Sequence, residues 1–142
     1  MTVSMDPSRG LVARVVVSVR WGDMDAFNHV NNAQYLRYLE EARVQWLAGI
    51  PGISLSDRIA PVLVASNVNY RLPIEWPNEI AVELFVEKIG NSSLIVGHRM
   101  LSSTDASVLY SDGSVVMVWI DTQTGKSVPL PEPIRAICTV GR

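Results

Sequence analysis

The sequence has a single cysteine, Cys138, and only two histidines among its 142 residues. One cysteine excludes an internal disulfide bond. So few potential ligands, without the spacing of a metal motif, argue against a zinc site. No apolar run approaches the roughly 20 residues needed to cross a bilayer, and residues 1–10 lack the basic-then-apolar pattern of a signal peptide. We therefore expect a cytoplasmic protein without a metal and without a membrane span.

Charge is also scarce, because charged residues make up 18% of the chain and the net charge is -2. A nucleic-acid partner would require a basic face, so we expect no such partner. Apolar residues make up 48% of the chain, which excludes a disordered protein. The length predicts one domain. The apolar content of so short a chain suggests additional apolar surface for a partner subunit.

Hydrophobic patterning predicts an α+β protein. Residues 1–10 show little periodicity and predict a flexible tail, and residues 11–142 predict one domain. Runs rich in β-branched and apolar residues predict strands, and a long amphipathic helix comes before most of them, so we expect the helix to pack on one face of an antiparallel sheet. The predicted strands are 11–20, 62–70, 79–89, 93–102 and 107–121, with a short helix near 134–138.

The stretch from Arg20 to Leu47 has two unlike halves. Residues 21–32 are rich in the Gly, Asp, Asn and His residues that suit turns, helix caps and polar chemistry. From Ala33 onward, apolar residues recur at spacings of three and four, which predicts a helix over 31–48 that ends at Gly49. The apolar positions of this helix are Tyr35, Leu36, Leu39, Ala42, Val44, Trp46 and Leu47.

The N-terminal turn of this helix is a candidate oxyanion site. The first turn of a helix leaves backbone N–H groups without intrahelical partners, and the helix dipole adds positive charge there. Asn31 and Asn32 suit the cap position, and Asp25 lies just upstream with His29 between them. A carboxylate and several N–H donors should therefore lie close together.

Asp25 has two interpretations on pattern alone, and they are about equally balanced. It could be a loop aspartate that accepts hydrogen bonds from nearby backbone, or a carboxylate that attacks a carbonyl carbon or activates a water. Asp23 is the competing acid, and we interpret it as structural or solvent-facing. We interpret His29 as a residue that ties down the helix entry, although a general base is the alternative.

The motif Gly-Asp-Met-Asp-Ala-Phe-Asn-His-Val-Asn-Asn-Ala-Gln-Tyr, which begins at Gly22, resembles the opening motif of the hotdog-fold acyl-CoA thioesterases. Among them it is most similar to the 4-hydroxybenzoyl-CoA thioesterase-like family, in the branch that includes long-chain acyl-CoA thioesterases. The resemblance is sharpest over residues 20–47 and continues more loosely to about residue 121. It implies a hotdog fold, in which an antiparallel sheet wraps one long central helix. It also implies edge-to-edge pairing into a homodimer or homotetramer, and no cofactor.

The resemblance also assigns roles to individual residues. Asp25 matches the family's acid, and this favours a catalytic carboxylate over a loop residue. The substrate-binding positions that it implies are His29, Val30, Asn31 and Asn32, with one or two of the backbone N–H groups of the last three facing the thioester oxygen. Many relatives have glycine at the position of Asn28, but asparagine tolerates the left-handed conformation, so we expect the turn to persist. Because hotdog sites are shared between subunits, Ser66 and Asn67 are expected to reach across the interface.

The sequence thus predicts an acyl-CoA thioesterase that releases free acid and CoA, with Asp25 as nucleophile or general base. The alternatives are a hotdog protein that binds acyl-CoA or acyl-carrier protein without hydrolysis, and an interaction domain in which the acidic loop only caps a helix. An anionic CoA ligand requires local positive charge. The candidate cations are Arg71, Lys88, Arg99 and Arg135.

Overall fold

The structure is a computed structural model that describes residues 10–140. The predicted tail, apart from Gly10, lies outside the described residues. Gly10 itself is buried, and its carbonyl accepts a hydrogen bond from the Val86 amide. The elements are β1 (Leu11–Ser18), α1 (Asn32–Ala48), β2 (Ile59–Tyr70), β3 (Glu79–Ile89), β4 (Ser93–Ser102), β5 (Leu109–Asp121) and α2 (Glu132–Thr139).

The five strands form one antiparallel sheet in the order β1-β3-β4-β5-β2. The strands β1 and β2 are therefore its two edges, although they are consecutive strands in the chain. The helix α1 packs against one face of the sheet, which confirms the predicted α+β arrangement. The chain leaves the end of β1 and enters α1 at its N-terminus. The segment that follows β2 then passes close to this same end of the helix.

One core cluster lies between α1 and the inner face of the sheet. Alternate residues of the central strands point inward, as a strand period of two requires. They meet the buried face of α1, which includes Tyr35, Leu39, Ala42 and Trp46. Two predicted apolar positions of the helix, Leu36 and Val44, are instead exposed. The inward-facing residues of the sheet are Ile80, Val82, Leu84, Val86, Leu94, Val96, Met100, Val115, Met117 and Trp119.

Several predicted boundaries were wrong, most of all at β2. This strand begins at Ile59 instead of Val62, and Pro61 lies within it opposite Trp119. Proline is tolerated there because β2 is an edge strand, where one row of N–H groups has no neighbouring strand to bond. The predicted bounds of β3 and β4 are confirmed, whereas β1 ends two residues earlier and β5 begins two residues later than predicted. The helix α2 is longer at both ends. Asp112-Gly113 neither breaks nor bulges β5, since both residues stay in register with β2 and β4.

A buried histidine lies beneath α1. The ring of His98 is 4% exposed, and its Nε2 is 3.2 Å from the Ser111 hydroxyl oxygen. Burial disfavours the imidazolium and lowers the pKa of His98 from 6.5 to about 4. The Asp112 carboxylate opposes this shift, and the Arg43 guanidinium reinforces it. His98 is therefore neutral in the folded protein at neutral pH.

This burial predicts a loss of stability in mild acid. Below pH 6.5 the unfolded chain protonates His98, whereas the folded chain does not until about pH 4. Stability therefore falls as the pH drops through this window, by about 2 kcal/mol between pH 7.5 and 5. Denaturant unfolding at the two pH values measures it. His98→Gln should reduce the difference by about that amount, and an unchanged difference would contradict a neutral buried imidazole.

Candidate active site

A short 3₁₀ turn, Trp21–Asp23, follows β1 and positions the acidic loop. The Asp23 carboxylate accepts hydrogen bonds from the Tyr38 hydroxyl at 2.6 Å and the Arg20 amide at 3.0 Å. The Asp23 carbonyl accepts from the Asn31 amide at 2.9 Å. Burial, together with the bond to Asp23, raises the pKa of Tyr38. Asp23 therefore anchors the loop to α1, which confirms its structural interpretation.

The two carboxylate oxygens of Asp25 have different surroundings. Oδ1 accepts hydrogen bonds from the amides of Phe27 at 2.8 Å and His29 at 3.3 Å. Within residues 10–140, Oδ2 has no hydrogen-bond partner. The side chain is half-buried, and the Asp25 amide donates to the His29 carbonyl at 2.7 Å. One oxygen thus fixes the loop and orients the carboxylate, while the other remains available to a bound molecule.

The turn between Asp25 and His29 depends on Asn28. This residue has φ 62° and is the one non-glycine residue with positive φ among residues 10–140. Asparagine adopts this left-handed conformation more readily than most residues. The Asn28 amide donates to the Asp25 carbonyl at 3.2 Å, so the expectation that the turn persists without glycine is confirmed.

Of the three predicted backbone donors, two are already used within the protein. The Val30 amide donates to the Ile74 carbonyl at 2.9 Å, and the Asn31 amide donates to Asp23. Asn31 is the N-cap of α1, and its side chain accepts from the Ala33 amide at 2.9 Å. The Asn32 amide has no acceptor in the part of the chain that the structure describes. A carbonyl oxygen at this helix end would therefore be met by the Asn32 N–H.

A cleft of about 410 Å³, here called the carboxylate cleft, lies beside Asp25 and the first turn of α1. Its far wall is the segment 70–73, which follows the end of β2. The Tyr70 hydroxyl donates to the Asn32 carbonyl at 3.2 Å, and the Tyr35 hydroxyl donates to the Leu72 carbonyl at 3.3 Å. The two tyrosine rings meet edge to face with centroids 4.8 Å apart. These contacts hold segment 70–73 against the helix end.

A second recess, of about 380 Å³, lies on another side of Asp25. Trp21 and Trp76 line it, and both indole rings are substantially exposed. Asp25 thus borders two cavities at once. The sequence analysis assigned neither Trp21 nor Trp76 to the site, because only the fold brings the two loops that carry them to one recess.

The remaining predicted residues are two side chains on β2 and four candidate cations. Ser66 and Asn67 are exposed on β2, opposite Val115 and Ser114 of β5, and do not line the carboxylate cleft. Of the four candidate cations, Arg71 lines this cleft. Its guanidinium also pairs with Asp112 at 3.0 Å.

The other candidate cations do not line the carboxylate cleft. Arg99 pairs with Glu83 at 2.8 Å and lies 4.8 Å from the centre of the Phe85 ring. Arg135 donates to the carbonyls of Gly90 and Asn91. Lys88 is on β3 and does not line the cleft either.

Residues 19–137 match the model of the thioesterase-like superfamily, so the chain belongs to this family. Over 121 residues it is 30% identical to the long-chain acyl-CoA thioesterase FadM of Escherichia coli K12, a match that covers 84% of this chain and 91% of FadM. The five-stranded sheet with its central helix is the hotdog fold that the resemblance implied.

Two solved structures are similar over most of the chain. A candidate acyl-CoA thioesterase from Xanthomonas campestris is 63% identical, with a TM-score of 0.75 over 82% of this chain and 99% of that one. A candidate thioesterase from Pseudomonas aeruginosa, PA2801, is 39% identical, with a TM-score of 0.85 over 89% and 97%.

Two properties of residues 10–140 bear on membranes and metals. None of the helices there is both long enough and apolar enough to cross a bilayer. No group of three or more His, Cys, Asp or Glu residues in this range is arranged to hold a metal ion. Cys138 is buried.

Proposed function

We propose that the chain is an acyl-CoA thioesterase whose reaction occurs between Asp25 and the first turn of α1. The observation that carries the proposal is the juxtaposition of a half-buried carboxylate, with Oδ2 unpartnered within residues 10–140, and the unpaired Asn32 amide. Both border one cleft. A thioester carbonyl oxygen at Asn32 would gain stabilisation as negative charge develops on it. Its carbon would then face Asp25.

Two routes of hydrolysis fit this arrangement. In the first, Asp25 Oδ2 attacks the thioester carbon, the C–S bond breaks, CoA leaves as a thiolate, and water then hydrolyses the mixed anhydride. In the second, Asp25 takes a proton from a water that attacks the same carbon, and the C–S bond then breaks with CoA leaving as a thiolate. In both routes the products are a free acid and CoA. A role in lipid metabolism follows from this activity.

We propose that two copies pair through their β2 edges. No strand of residues 10–140 covers the outer edge of β2, and Val62, Leu63 and Val64 on this strand are exposed. An uncovered apolar edge strand is a template for pairing with another chain. Pairing would bring Ser66 and Asn67 into the interface, as a shared site requires. A homotetramer would form from two such dimers. The proposed location is the cytoplasm, where the lone cysteine would remain reduced.

The proposal is tested by measuring thiol release from a panel of short, long and aromatic acyl-CoA esters with a thiol-reactive dye. We expect continuous turnover on at least one ester without added metal or cofactor. Binding of the esters without thiol release would instead identify a non-hydrolytic acyl-CoA or acyl-carrier-protein-binding protein. If the protein neither binds the esters nor releases thiol from them, the acidic loop serves only as a helix cap.

Arg71 is proposed to contact the phosphates of CoA. It is the candidate cation that lines the carboxylate cleft, and its guanidinium is about half exposed. Because a charge-assisted hydrogen bond of this kind contributes to the binding free energy, its loss in Arg71→Ala should raise KM by about tenfold with little change in kcat. Arg14→Ala, which removes an exposed arginine on β1, is the matched control. An equal change in KM in both variants would contradict a specific contact.

A further inference from the structure

An apolar cavity of about 600 Å³, here called the distal cavity, lies at the opposite end of α1 from Asp25. The last turns of the helix, the connector to β2 and the beginning of β2 form its walls. This volume is within the range of small-molecule sites. The principal apolar lining residues are Val44, Leu47, Ile53, Ile59, Ala60 and Trp119.

Within one chain, the distal cavity is remote from the carboxylate cleft. Tyr35 borders the cleft and Leu47 borders the cavity, so the two are separated by about 18 Å along the helix axis. Between them, Leu39, Ala42 and Trp46 are buried against the sheet. A hydrocarbon chain that passed from Asp25 through the interior of its own subunit to this cavity would have to displace these core side chains.

The two sites lie at opposite ends of the same edge strand. The cleft is bordered by Tyr70 and Arg71 at the end of β2, and the cavity by residues 59–61 at its beginning. If two β2 strands pair antiparallel about the middle of the strand, Tyr70 of one strand lies beside Ile59 of the partner subunit. Paired strands are only about 4.8 Å apart. The carboxylate cleft of each subunit then adjoins the distal cavity of the other.

We propose that the distal cavity of one subunit receives the hydrocarbon chain of an acyl group whose thioester is bound at Asp25 of the partner subunit. The inference rests on the proposed thioesterase function and on the β2-paired dimer. The apolar walls suit an acyl chain, which loses contact with water as it enters. The chain-length preference of one active site is therefore set by residues of the other subunit.

Ala60→Phe tests the role of the cavity, because residue 60 lines it and aromatic side chains are well accommodated in strands. We expect kcat/KM for palmitoyl-CoA to fall by about tenfold or more, as when a pocket loses room for a substrate group. Butanoyl-CoA, whose short chain depends least on the cavity, should be hydrolysed at close to the wild-type rate. Ala106→Phe, in an exposed turn outside the cavity, is the matched control and should change neither substrate.

A second variant avoids the dimer edge and covers the possibility that Ala60→Phe misfolds. Leu55 lies in the connector, is exposed, and also lines the cavity. Leu55→Lys replaces an apolar lining residue with a charged one and should lower activity towards palmitoyl-CoA more than towards butanoyl-CoA. If both variants fold and keep the wild-type ratio of the two activities, the cavity does not hold the acyl chain, although hydrolysis itself would remain established.

A heterodimer distinguishes the partner's cavity from the subunit's own. Asp25→Asn protomers and Ala60→Phe protomers with different affinity tags are co-expressed, and dimers carrying both tags are purified. One site of this dimer combines an intact Asp25 with an intact cavity of the other subunit, so we expect about half of the wild-type activity on palmitoyl-CoA. A heterodimer of Asp25→Asn with Ala106→Phe should behave alike and serves as the control.

Activity of the first heterodimer on butanoyl-CoA but not on palmitoyl-CoA would show that each site uses its own cavity and would overturn the proposal. A purified protein that is monomeric in solution and hydrolyses palmitoyl-CoA would overturn it as well. A wild-type protein that hydrolyses no ester of the short, long and aromatic panel would instead refute the proposed function. The two failures therefore have different signatures.

Discussion

Asp25→Asn is expected to lower kcat by about 100- to 10,000-fold while leaving folding and oligomer size unchanged, since a carboxylate acting as a base contributes about this factor and a nucleophile is lost outright. Asparagine keeps an acceptor oxygen at Oδ1, so the hydrogen bonds from the amides of Phe27 and His29 can persist. The loop should therefore keep its shape, and the loss should reflect chemistry. Thiol release under saturating acyl-CoA measures kcat, and circular dichroism checks the fold.

Asp105 offers a closely matched control. It is also a loop aspartate whose Oδ1 accepts from the amide two residues further on, that of Ser107, at 3.0 Å. It is exposed and does not line the carboxylate cleft. Asp105→Asn should leave kcat within about twofold of wild type, as surface substitutions usually have small effects. If Asp25→Asn keeps near-wild-type turnover as well, Asp25 is a loop residue and the assigned chemistry is wrong.

Asn32→Pro should lower kcat by about 100- to 1,000-fold, because it removes the one N–H proposed to stabilise the oxyanion. Asn32 is the first residue of α1, a position where proline is favoured because its missing N–H has no intrahelical partner. The preceding residue, Asn31, has φ -56° and ψ 135°, which suits a residue before proline. The helix should therefore form normally.

Asn32→Ala distinguishes the contribution of the backbone amide of residue 32 from that of its side chain. This variant keeps the backbone N–H and loses only the carboxamide, so its kcat should stay close to that of wild type. Circular dichroism and thermal unfolding of both variants establish that α1 is intact. Equal activity of Asn32→Pro and Asn32→Ala would contradict a role for this amide in stabilising the transition state.

The helix and its cap could be predicted from sequence because their determinants are local. The spacing of apolar residues defined α1, Asn31 capped it and Gly49 ended it, within one residue of the observed bounds. The extent of β2 could not be predicted in the same way. Whether proline is tolerated depends on which strand is at the edge, and this follows from the order of the whole sheet.

The acidic loop was identified from sequence, but which of the three candidate amides is available was not. Sequence indicates which amides lie near a helix end, whereas their acceptors arrive from distant segments. The Ile74 carbonyl occupies the Val30 amide and comes from the segment after β2. The far wall of the cleft has the same origin, since Tyr70 meets Asn32 across 38 residues of chain. Only the folded register brings these groups together.

The most direct test of the central claim is a crystal structure of Asp25→Asn with a bound acyl-CoA. The thioester oxygen is expected within about 3.2 Å of the Asn32 amide nitrogen, with the thioester carbon facing the side chain of residue 25. A thioester bound elsewhere, with water alone at the Asn32 amide, would contradict the account.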